Sequence, residues 1–193
     1  MREPFGVILA GGRGTRMGNV PKADIMLGRK SLLARCKDRL EPQSSGIVVV
    51  ANASVQTQLP IIPDSLKGHL GPLAGILAGL EYAEQKGHDH IVSAAVDTPF
   101  FPCDLAPNLI LAGLGHPLGF SIAATENGLH PTFGLWPAAL IDPLRQFLND
   151  GHRKARQFTQ SHGAATASFP TTTPDAFFNV NTPENLADAT QWI

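Results

Sequence analysis

Leu9-Ala10-Gly11-Gly12-Arg13-Gly14-Thr15-Arg16-Met17-Gly18 is the stretch that decides the fold. It continues an apolar run, residues 5–10, that reads as a strand buried on both faces, the kind found inside parallel sheets. Side chains are small or absent where the backbone must approach something closely. Successive N–H groups in such a loop form an anion-binding concavity. In a parallel sheet the loop lies at the carboxyl end of its strand, where ligands bind. Arg13, Arg16 and Lys22 add charge suited to phosphate oxygens. The chain has no ATPase phosphate loop, which needs Gly-Lys-Ser or Gly-Lys-Thr after a leading glycine. Gly12, Gly14 and Gly18 miss the dinucleotide GxGxxG spacing by one residue. A tight strand-to-helix turn without a ligand is the plainer alternative. Three cations just after a buried strand favour the anion site.

Outward from this loop, apolar runs alternate with helical patterns. Residues 31–40 predict a helix, residues 47–52 a second buried strand, and Ile61 and Ile62 a short third one. Residues 72–86 predict the clearest helix. Leu73, Ile76, Leu77 and Leu80 fall at i, i+3, i+4 and i+7, with Pro72 at its start and Gly87 at its end. Residues 91–96 predict the next buried strand. This alternation predicts an α/β fold with a mainly parallel sheet. Further on, residues 121–125 and 132–136 read as strands bracketing a turn at Asn127-Gly128, which suits antiparallel pairing. Residues 138–149 and 153–161 read as helices, 165–169 as a strand, and 183–191 as a terminal helix with Thr182 as its N-cap. No linker divides the chain, so one domain over residues 1–193 is expected.

The 193 residues are 43% apolar and 16% charged, which excludes disorder and coiled coil and permits a sizeable core. Net charge is −1, against a dedicated nucleic-acid binder. That balance hides a split. Residues 1–40 hold nine basic and three acidic groups and carry +6, while residues 41–193 carry −7. A basic start on an acidic body suggests an early anion site, although Arg35, Lys37 and Arg39 also suit a solvated helix face. Cys36 and Cys103 make neither a disulfide framework nor a zinc motif. No apolar run reaches membrane-spanning length and residues 5–10 are too short for a signal peptide, so a cytoplasmic protein without membrane or nucleic-acid partners is expected.

Asp97 opens an Asp97-Thr98-Pro99 turn at the carboxyl end of the strand over residues 91–96. It should face the same crevice as the glycine loop, where a carboxylate can hold Mg²⁺ with nucleotide phosphates. Capping the following helix is the alternative role. Asp64 precedes Gly71-Pro72-Leu73-Ala74-Gly75, a segment that opens a helix toward the same crevice.

Together these residues resemble the molybdenum cofactor guanylyltransferases, the MobA family, within the nucleotide-diphospho-sugar transferase fold. The resemblance runs in order through Leu9-Ala10-Gly11-Gly12, Arg16-Met17-Gly18, Lys22, Asn52, Asp64, Gly71-Pro72-Leu73-Ala74-Gly75, Asp97-Thr98-Pro99, His130-Pro131-Thr132 and Asn179-Val180-Asn181-Thr182-Pro183-Glu184. It departs at Pro21, where the family has an acid before the lysine; Pro-Lys there is similar to sugar-nucleotide and isoprenoid cytidylyltransferases. The resemblance implies a Rossmann-like α/β/α sandwich in which residues 1–100 serve the nucleotide and 101–193 the acceptor. It implies transfer of GMP from GTP to molybdopterin, with Lys22, Asp97 and Arg16 catalytic and Mg²⁺ held by Asp97. It places the nucleotide on Leu9, Ala10, Gly11, Gly12, Arg13, Gly14, Lys22, Asn52, Asp64 and Asp97. His130, Asn179 and Asn181 fall to the acceptor, although a lone His beside a strand, or two Asn before a helix, also suit structural roles. A monomer is expected, in passing contact with proteins that supply or receive the cofactor. Two other readings remain: a cytidylyltransferase of the same fold, and a non-catalytic nucleotide-binding carrier of the cofactor. The basic cluster Arg153, Lys154 and Arg156 reads as a solvated face, and His88 and His90 as residues at a strand start.

Overall fold

The computed structural model describes residues 3–11, 17, 20–66, 68 and 71–193. Strand β1 (Phe5–Leu9) is buried at every residue. A short hairpin follows, β2 (Met26–Leu27) against β3 (Lys30–Ser31). Helix α1 (Leu32–Leu40) starts where Ser31 Oγ accepts the Ala34 N–H at 3.1 Å, and it turns Leu32, Leu33, Cys36 and Leu40 inward. Then come β4 (Ile47–Val50), β5 (Ile61–Ile62), α2 (Pro72–Gln85) and β6 (His90–Ala95). The second half supplies α3 (Leu105–Gly113), β7 (Ser121–Thr125), β8 (Gly128–Pro137), α4 (Ile141–Asn149), α5 (Ala155–Ser161), β9 (Ala165–Ser168) and α6 (Pro183–Thr190).

Among the described residues one seven-stranded sheet runs in the order β5-β4-β1-β6-β8-β7-β9. β5, β4, β1 and β6 are parallel, and β9 is parallel to β7. Only β8 runs against its neighbours β6 and β7. The chain winds outward from β1 to β5, then α2 carries it back to β6 on the other side of β1. The carboxyl ends of β1 and β6 therefore flank a topological switch point, where a ligand crevice opens.

Each face of the sheet has its own core. Ile8, Val49, Val92 and Phe133 meet α1 and α3 on one face. Val7, Val48, Ile91 and Trp136 meet α2, α4 and α5 on the other. This is the expected three-layer α/β/α sandwich with a mainly parallel sheet. Close approach of α2 to β1 depends on Gly79, where a Cβ would stand 2.7 Å from Val7 Cγ1 and Cγ2.

The predicted hairpin between residues 121–125 and 132–136 is present, with the strand on its far side reaching from Gly128 to Pro137. Thr182 caps α6 as expected, its Oγ1 accepting the Asn185 N–H at 3.2 Å. Two elements escape the sequence reading, the β2–β3 hairpin and α3. The hairpin strands have two residues each, too few to show a period. α3 carries Pro107 in its first turn, where no helical N–H bond is lost. Its leucines point both ways: Leu105 and Leu109 are buried and Leu111 is exposed, so no polar face advertises the helix.

Candidate active site

A cavity of about 890 Å³ opens at the switch point. Leu9, Ala10 and Gly11 form its floor at the end of β1, and Val96 and Asp97 its wall beyond β6. Asn52 and Asp64 follow β4 and β5, and Gly71, Pro72 and Gly75 start α2 above them. Thr132 of β8 and Asn179 close the opposite end. Of the predicted nucleotide residues, Leu9, Ala10, Gly11, Lys22, Asn52, Asp64 and Asp97 thus meet in one cavity. Gly12, Arg13, Gly14 and Arg16 lie outside the described residues.

At the centre Lys22 Nζ pairs with Asp97 Oδ2 at 2.8 Å, both side chains about one-fifth exposed. Lys22 sits on a 3-10 turn entered through extended Pro21 (ψ 127°), which aims the lysine across the chain at β6. Its ammonium also donates to Asn181 Oδ1. Asp97 does not cap a helix: α3 begins at Leu105, just after Asp104. Its carboxylate serves the cavity instead, and its carbonyl accepts the Val180 N–H at 2.7 Å.

At one end Asn52 and Asp64 satisfy each other. Asn52 Nδ2 donates to Asp64 Oδ2 at 2.7 Å, and the Asp64 N–H donates to Asn52 Oδ1 at 3.0 Å. The other carboxylate oxygen, Oδ1, would be 3.5 Å from a Cβ placed on Gly75. A glycine there leaves room beside the carboxylate.

At the other end Asn179 lines the cavity, its Oδ1 accepting from Thr98 Oγ1 at 3.0 Å. Asn181 reaches the site through Lys22 and is not part of the cavity wall. His130 is not in the wall either. It stacks on Phe177 with centroids 4.2 Å apart, and its Nε2 lies 3.0 Å from Thr125 Oγ1. Burial lowers its pKa from the usual 6.5, against the opposing pull of Asp175. Within His130-Pro131-Thr132 it is Thr132 that faces the cavity.

Sequence reasoning passed over Thr98, though it stands in the same turn as Asp97. Cys36 stays a thiol: burial first, then the Asp97 charge, push its pKa well above the ordinary range. Arg153 donates to the carbonyls of Leu148 and His152, both at 2.5 Å, which ties it to the end of α4. Among the described residues no three His, Cys, Asp or Glu side chains converge on a metal-holding position. No described helix is long and apolar enough to cross a membrane.

A cavity at the switch point of a parallel sheet, holding a lysine–aspartate pair, marks the chain as a nucleotidyltransferase of the α/β/α type. The MobA-like NTP transferase domain matches residues 6–166. The molybdenum cofactor guanylyltransferase of Rhizobium johnstonii is 41% identical, over 97% of this chain and 92% of its own. That of Cereibacter sphaeroides is 43% identical, over 96% of this chain and 94% of its own. Among solved structures, molybdopterin-guanine dinucleotide biosynthesis protein A from Archaeoglobus fulgidus superposes with a TM-score of 0.76 at 25% identity, covering 97% of both chains. The 2-C-methyl-D-erythritol 4-phosphate cytidylyltransferase of Thermus thermophilus, 18% identical, shares the fold with a TM-score of 0.69 over 98% of both chains. The chain belongs to the molybdenum cofactor guanylyltransferases, within the MobA-like NTP transferases.

Proposed function

We propose that this chain transfers GMP from GTP to the terminal phosphate of molybdopterin and releases pyrophosphate. The observation that carries the reading is the Lys22–Asp97 pair in the middle of a cavity with polar side chains at both ends. The nucleoside lies at the Asn52–Asp64 end. There the second carboxylate oxygen accepts from donors such as guanine N–H groups or ribose hydroxyls. The phosphates lie toward the centre, beside the backbone N–H of Gly11; the Ala10 N–H is committed to the Val50 carbonyl at 2.9 Å. The acceptor occupies the Asn179 end.

The attacking phosphate is already an anion, so no general base is needed. The task is to bring an anion onto a triphosphate, which is work of positioning and charge. Lys22 neutralises oxygens on the α-phosphate and the leaving pyrophosphate. A single carboxylate facing the cavity suits a hard divalent cation, Mg²⁺ in this reading, that takes its remaining oxygens from phosphates and water. Held by Asp97, the ion would supply charge neutralisation at the phosphates. Lys22 and Asp97 pair with each other, so each keeps the other's charge compensated and in place. In this reading the whole chain acts as one domain and as a monomer, with residues 1–100 serving the nucleotide and 101–193 the acceptor.

Pyrophosphate release in the presence of molybdopterin tests the reading. GTP should support turnover at least tenfold better than CTP. Preference for CTP would replace the guanylyl reading with the cytidylyl one that Pro21-Lys22 suggests.

A further inference from the structure

The Thr98 side chain is 1% exposed, and no step above uses its hydroxyl. Oγ1 donates to Asn179 Oδ1 at 3.0 Å, closer than its 3.5 Å contact with Asp97 Oδ1. Asn179 Nδ2 in turn donates to the Phe177 carbonyl at 3.3 Å. These contacts decide which way the amide faces. A carbonyl can only accept, so the NH₂ group must point at Phe177, and the amide oxygen then faces Thr98, which must donate. One amide N–H and one lone pair on Oδ1 are left without partners among the described residues, on a side chain that lines the cavity. The backbone of this segment is held separately, by the Val180 N–H on the Asp97 carbonyl at 2.7 Å. Loss of the Thr98 hydroxyl would therefore leave the Asn179 amide on the 3.3 Å Phe177 contact alone, with the backbone of the segment still anchored.

We propose that Thr98 is a positioning residue for the acceptor: its hydroxyl, acting with the Phe177 carbonyl, holds the Asn179 amide in the orientation that offers an N–H and a C=O to the pterin. A pterin carries a ring N–H beside a carbonyl, the complement of an amide with one donor and one acceptor free. Thr98 touches no substrate and works through Asn179. The inference rests on the reading that the acceptor occupies the Asn179 end.

Steady-state kinetics with GTP and molybdopterin on T98V, T98S, N179A and the T98V/N179A double variant test it. Valine keeps the shape and removes the donor. T98V should raise the acceptor KM about tenfold and leave the GTP KM unchanged. T98S should restore the acceptor KM, and T98V should add nothing once Asn179 is alanine. Far-UV circular dichroism should match across the set. An unchanged acceptor KM in T98V, with a raised one in N179A, would overturn the positioning role alone. An unchanged acceptor KM in N179A would overturn the acceptor reading and the positioning role with it. An equal rise of both KM values in T98V would place the effect on the Asp97 turn and also overturn the proposal.

Discussion

The two ends of the cavity are organised in different ways. At the end proposed for the nucleoside, Asn52 and Asp64 are twelve residues apart and satisfy each other, just beyond strands of the parallel part of the sheet. At the end proposed for the acceptor, Asn179 and Asn181 sit on an irregular segment held by partners far away in the chain. Thr98 is 81 residues from Asn179, and Lys22 is 159 residues from Asn181. The first end is organised by neighbouring loops, and the second only once the whole chain has folded. Lys22 belongs between them, where one ammonium touches Asp97 and Asn181.

Lys22→Ala should have the largest effect, because it removes the charge that stands between the two ends and, in the proposed reaction, neutralises the phosphates. Pyrophosphate release should fall about 10²–10³-fold, the range for loss of one preorganised electrostatic group. A loss under tenfold would break the idea that Lys22 carries the charge the reaction needs. Asp64→Asn should act on one end only. The GTP KM should rise about tenfold, the cost of weakening a hydrogen bond to a charged group, with the acceptor KM unchanged. If both KM values rose together, the two ends would not be separable.

The smallest effect concerns pH. Burial holds the His130 pKa below the usual 6.5, so the folded chain refuses a proton that the unfolded chain binds. The stability from neutral His130 is full above 6.5. It is lost as pH falls from 6.5 through the lower folded value. His130→Gln should therefore flatten the decline of the urea midpoint between about pH 7 and pH 5. An identical slope in the variant would show that the Phe177 stack carries no pH linkage.

Much of the nucleoside end is legible in the sequence. A strand buried on both faces is mostly apolar, and β1, β4 and β6 announce themselves that way, with buried Ser93 a polar exception that donates to the Thr132 carbonyl. Residues just beyond such strands fall at one edge of the sheet, which is why the strand pattern alone groups Gly11, Asn52 and Asp97. The acceptor end is less legible. His130-Pro131-Thr132 marks the right strand, but the pairing of β8 with β7 breaks there: Ile122 faces Gly134 while Ala123 faces His130, and across this irregularity Thr132 reaches the cavity while His130 lies against Phe177, which the sequence does not display. Thr98 carries no signal of its own, since one hydroxyl in a turn reads the same whether it caps a backbone or orients an amide.

By itself the sequence determined the α/β class, the order of most strands and helices along the chain, the glycine loop, and the chemistry available to the site. These depend on local periodicity and residue type, which a linear chain displays. Only the tertiary structure decided which groups meet: Lys22 with Asp97, Lys22 with Asn181, Thr98 with Asn179, and His130 with Phe177 rather than the cavity. The physical reason is that strand order and register are settled by packing two apolar faces at once. That packing brings together residues whose separation along the chain carries no trace of their contact.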